Sequence, residues 1–179
     1  MGSWINYGLG SESDNLPGFV VVHGGSMPLG GIDMLQNGYL PTAFQPSLIK
    51  PENEPLSNIQ PREANQALQD RKLAFLSAND RDMLSRMGTP DQIASAIDNY
   101  ELAYRMQSSV PELADLSRET NLTKKLYGFD SDDPNTRRYA SQCLMARRFV
   151  ERGVRFVEIT DPFPGNPNPW DQHWDLRAN

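Results

Sequence analysis

The chain has 179 residues, 38% hydrophobic and 22% charged, enough for one domain with a real core or for one half of a larger one. A net charge of −6 with no basic stripe argues against nucleic acid as a partner, and a single cysteine, Cys143, excludes an internal disulfide. No stretch approaches the ~18 apolar residues that a membrane span needs, and Met1-Gly2-Ser3-Trp4 has neither the basic nor the apolar part of a signal peptide.

Residues 1–17, with Gly2, Gly8, Gly10 and Pro17, read as loop. Phe19-Val20-Val21-Val22-His23 is a continuous apolar run between Gly18 and Gly24-Gly25, the pattern of a strand buried on both faces. Residues 24–61 hold six prolines and no period of 2 or 3.6, so a long irregular loop is expected there, either functional or tied down by its own contacts.

Four helices are predicted next. The first starts near Pro61-Arg62-Glu63 and runs through Leu68, Leu73 and Leu76 to about Arg86. The second starts at a capping box, Thr89-Pro90-Asp91-Gln92, and carries Ile93, Ile97, Tyr100 and Tyr104 as its apolar stripe. A third covers about Pro111–Ser117, extending toward Tyr127, with Gly128 as its stop. The fourth follows Asp133-Pro134, carries Tyr139, Cys143, Ala146 and Val150 on one face, and ends at Gly153 in a left-handed cap. Its arginines Arg137, Arg138, Arg147, Arg148 and Arg152 read as a solvated face, and Cys143 as a buried structural thiol. Directly afterwards, Val154–Thr160 alternates apolar and polar residues and is rich in β-branched ones, which predicts a parallel strand. The chain therefore divides into loop and strand (1–60), a helical segment (61–153), and a strand followed by a proline-rich loop (154–179) within a single partial domain.

That last loop carries the one cluster with chemistry: Asp171, His173 and Asp175 within five residues, flanked by Trp170 and Trp174. Open α/β sheets bind ligands beyond the carboxyl ends of their strands, where carboxylate oxygens and an imidazole can converge on a divalent metal or stand near a phosphate. The competing reading is a loop in which His173 bonds a neighbouring carboxylate while the tryptophans pack over it. His23, ahead of Gly24-Gly25-Ser26, suggests an oxyanion loop, but no G-x-S-x-G elbow accompanies it. The paired glycines form neither G-x-G-x-x-G nor a P-loop. Asp130-Ser131-Asp132-Asp133 lacks the glycine and glutamate of a calcium loop and is better explained as a helix cap.

Two segments carry a resemblance. Gly2-Ser3-Trp4-Ile5-Asn6-Tyr7-Gly8-Leu9-Gly10 with Asn15-Leu16-Pro17-Gly18-Phe19-Val20-Val21, and Gly153-Val154-Arg155-Phe156-Val157-Glu158 followed by Trp170-Asp171-Gln172-His173, resemble the DUF1501 family, which is similar to sulfatases of the alkaline phosphatase superfamily. Leu113–Ser117, Glu119-Thr120 and Tyr127-Gly128 between them fit as well. The resemblance implies an α/β fold with a partial parallel sheet flanked by helices, long irregular loops, and metals beyond the strand ends. Asp171 and His173 match in order and context the residues that ligate one metal in relatives. It also implies that the nucleophile and further ligands lie in sections upstream and downstream of this chain, and that the parent protein is exported.

The sequence thus leads to an internal piece of a metal-dependent hydrolase of phosphate or sulfate esters, using Zn, Mn or Ca, inactive alone and prone to self-association through an uncovered edge or apolar face. The alternative is a non-catalytic α/β module that meets another protein through residues 24–61.

Overall fold

The computed structural model describes residues 1–24, 30–51, 55–56, 59–60, 63–87 and 91–160. It is an α/β structure built on an open parallel sheet of three strands: β1 (Phe19–His23), β2 (Ser47–Ile49) and β3 (Phe156–Thr160), in the order β2-β1-β3. The central position of β1 follows from its sequence. All five of its residues are buried, and Val20, Val21 and Val22 have no exposed surface. Its register sets Val22 beside Ile49 on one side and His23 beside Thr160 on the other.

Period-2 alternation gives the two faces of β1 different work. Val20 and Val22 join Ile49, Met106, Val110, Leu113, Met145 and Phe149 in the larger core. Phe19 and Val21 meet Leu35, Leu48 and Phe156 on the opposite face. Helices α3 (Asp91–Ala114) and α5 (Pro134–Glu151) supply the larger core, and α1 (Gly2–Leu9) packs on the smaller one.

Within residues 1–17, where a loop is expected, Gly2–Leu9 forms helix α1 and residues 10–17 are irregular. Gly2 in the helix and Gly18 beyond it are there for packing. A Cβ at Gly2 would lie 2.6 Å from ring atoms of both Phe19 and Phe156, and a Cβ at Gly18 would fall 2.0 Å from the Asn6 side-chain oxygen. Asn6 and Ser3 are buried. The Gly-Ser-Trp and Leu-Pro-Gly-Phe segments therefore interlock.

The stretch 24–61 is more ordered than a loop. It contains β2 and two 3-10 turns, Gly31–Leu35 and Thr42–Phe44, and it buries Leu35, Leu40, Ile49 and Ile59. Three residues of strand between prolines give too short an alternation to register as periodic. Helix α2 (Gln66–Met87) starts later than expected, and Pro61, Arg62, Gly88, Thr89 and Pro90 lie outside the described residues, so the capping box does too.

Helix α3 continues through Pro111 to Ala114, where a new helix was expected to begin. Proline removes one N–H, but the turn carries on, with the Asp115 amide donating to the Pro111 carbonyl at 3.1 Å. The expected stripe of α3 holds only in part: Ile93, Ile97 and Tyr104 are half-buried and Tyr100 is exposed, while Ser95, Met106, Val110 and Leu113 are buried. A 3-10 turn (Leu116–Arg118) and helix α4 (Asn121–Tyr127) follow, and Gly128 closes α4 at φ 92°.

Helix α5 begins as the sequence indicates. Pro134 occupies the first turn, and the Asp133 carboxylate accepts from the amides of Asn135 (3.2 Å) and Thr136 (2.9 Å). Gly153, at φ 89°, turns the chain into β3. The buried face of α5 is Ala140, Leu144, Met145 and Phe149, one step around the helix from the predicted stripe. Val150 is exposed and Cys143 only half-buried. Nor is Arg148 a solvated side chain. Its guanidinium donates to the carbonyls of Asp115 (2.7 Å) and Glu112 (3.0 Å) and lies 3.4 Å from the Glu119 carboxylate, closing the C-terminal end of α3.

Candidate functional site

In a parallel sheet of order 2-1-3, the chain leaves β1 toward one side and reaches β3 on the other, so the crevice outside the carboxyl ends of β1 and β3 is the place where a ligand fits. The last rung of the sheet puts His23 beside Thr160 there. Their side chains share the face of Phe19 and Val21, and His23 Nδ1 lies 3.3 Å from Thr160 Oγ1. The imidazole is 6% exposed, so the contact sits in a region largely shielded from water.

A second residue reaches the same edge from the opposite face. Gln142 of α5 is fully buried, and its Nε2 donates to the Thr160 carbonyl at 2.9 Å, with Val22 O at 3.5 Å. The Gly24 amide donates to the same Thr160 carbonyl at 3.0 Å. Gln142 therefore clamps the ends of β1 and β3 together. Gly24 is required by this clamp, because a Cβ there would lie 2.6 Å from Gln142 Nε2 and 2.8 Å from Thr160 O. Among the described residues, the Gln142 Oε1 atom is buried without a hydrogen-bond partner. Sequence reading missed Gln142, which stood inside an amphipathic helix. The available signal was a glutamine, Gln142, among apolar positions of α5.

The clamp fixes two points of departure side by side. Residues 25–29 follow β1 and residues 161–179 follow β3, so Ser26 and the whole Asp171, His173, Asp175 cluster attach to this edge but lie outside the described residues. Among the described residues, no three His, Cys, Asp or Glu side chains converge as a metal would require. Elsewhere a cleft of about 320 Å³ opens between α2 and α3, lined by Gln66, Gln69, Tyr104 and Gln107. The Tyr104 hydroxyl donates to Asp70 at 3.0 Å, and this bond to a carboxylate raises the phenol pKa.

Among the described residues, no helix is long and apolar enough to cross a membrane. No curated protein and no solved structure matches the chain. The family described as "Protein of unknown function (DUF1501)" matches residues 1–179. This match over residues 1–179 establishes that the chain belongs to the DUF1501 family.

Proposed function

We propose that the chain contributes the β1/β3 edge of a metal-dependent hydrolase of phosphate or sulfate esters, of the alkaline phosphatase and sulfatase type. The observation that supports it is the parallel 2-1-3 sheet, whose clamped carboxyl edge holds His23 and launches the segment with Asp171 and His173. Asp171 and His173, an oxygen and a nitrogen donor suited to Zn²⁺ or Mn²⁺, would hold the ion together with the further ligands that the family resemblance implies outside this chain. Such an ion, when bound, polarises the ester and stabilises the leaving oxygen. The chain's own part is to hold the edge rigid through Gln142, to shield it from water, and to present the His23 imidazole beside the ligand segment.

The test is calorimetric titration of Zn²⁺, Mn²⁺ and Ca²⁺ into the metal-free chain, with His173→Ala and Asp171→Asn as controls. Saturable binding that weakens at least ten-fold in both variants is expected. Binding that survives both substitutions would refute the assignment of these two ligands.

A further inference from the structure

Helix α2 packs on α3 and turns only part of itself toward the rest of the protein. Gln69 is buried and Leu73, Ser77, Asp80 and Leu84 are half-covered, which is the face toward the rest of the protein. Beside that face runs a second apolar strip in the open: Leu68, Phe75, Leu76 and Met83, with Phe75 66% exposed. Their spacing of seven, one and seven places them within about a third of the helix circumference. An isolated exposed leucine needs no explanation, but four exposed apolar side chains along 16 residues of a 22-residue helix, with only Lys72 and Asn79 set among them, do.

The strip is self-complementary. Placing a two-fold axis between Phe75 and Leu76 and laying a second copy antiparallel across it sets Phe75 against the partner's Phe75, Leu76 against the partner's Leu76, and Leu68 near the partner's Met83. Lys72, within the strip, then faces the partner's Asn79, whose amide oxygen can accept from the ammonium. On the adjoining flank, Arg71 comes opposite the partner's Asp82, offset by about 3 Å along the axis, well within side-chain reach. Arg71 is exposed, and Asp82 already holds Arg86 at 2.8 Å in an i,i+4 pair. The symmetry repeats each contact, so both ends of the strip carry an opposite-charge pair.

We infer that α2 is the interface of a symmetric antiparallel dimer of this chain, centred between Phe75 and Leu76. A partner of another sequence would have no reason to match this internal two-fold pattern, whereas an isologous contact requires it. The inference is independent of the proposed hydrolase reading.

Sedimentation of the full chain over a wide concentration series tests it. A monomer–dimer equilibrium is expected, weakened at least ten-fold by Phe75→Glu with the melting temperature of the monomer unchanged. Arg71→Asp and Asp82→Arg should each weaken homodimerisation by like-charge contact, and mixing the two variants should restore association, because the unlike chains then present opposite charges. A chain monomeric at every concentration overturns the inference and leaves the strip to a different protein. A dimer indifferent to Phe75→Glu, or variants that fail to associate on mixing, overturns it equally.

Discussion

The glycines of α1 yield a matched pair of substitutions whose effects should have opposite signs. Gly2 and Gly8 belong to the same helix, and alanine is the better helix former at either position by about 0.5–1 kcal/mol. At Gly8 nothing lies within 4 Å of the added methyl. Gly8→Ala should therefore stabilise by up to about 1 kcal/mol, less if the last helical turn frays. At Gly2 the methyl would enter the space of Phe19 and Phe156, whose rings meet edge to face with centroids 5.4 Å apart. Phe19 is buried under the sheet and cannot swing away, so overpacking of about 1–3 kcal/mol outweighs the helical gain. The two variants should differ by roughly 1–3 kcal/mol, on opposite sides of the parent, on the order of 2–12 °C in melting temperature for a domain of this size. Thermal and urea unfolding followed by circular dichroism measures it. Equal stabilisation by both substitutions would show that α1 does not lie on the Phe19–Phe156 face, and the account of the Gly-Ser-Trp segment given above would fail.

Two further outcomes follow from the helix ends. Arg148→Met should cost about 1.5–3 kcal/mol, since charge-assisted bonds to the Glu112 and Asp115 carbonyls are lost. Arg148→Lys should recover little, because an ammonium cannot span both; a lysine variant as stable as the parent in urea unfolding would contradict this. The Thr136 hydroxyl and the amides of Thr136 and Asn135 hold the Asp133 carboxyl below its usual range. A lowered folded pKa stabilises above the unfolded value and loses that contribution as pH falls through the folded one. Asp133→Ala should thus destabilise at pH 7, with the deficit shrinking below about pH 4; a deficit constant with pH would show that the cap does not depend on charge.

The sequence determined the elements whose signals are local and unopposed. Four apolar residues and a histidine between glycines form a strand shielded on both faces, and Asp133-Pro134 with Gly153 brackets a helix by caps that need no tertiary help. The resemblance carried by the Gly-Ser-Trp and Gly-Val-Arg-Phe segments named the family from residues alone. Only the tertiary structure decided what depends on a distant neighbour. Glycine normally breaks helices, yet Gly2 starts one because hydrogen alone fits against two phenylalanine rings. Proline normally begins helices, yet Pro111 lies inside one whose end is closed by Arg148 from another helix. The buried face of α5 differs from the predicted stripe by about one residue, a rotation set by where Val20 and Val22 stand and invisible to periodicity. The Gln142 clamp follows the same logic. A glutamine becomes the tie between two strand ends only when the fold brings Thr160 to it, since hydrogen bonds between residues far apart in sequence leave no period in the chain.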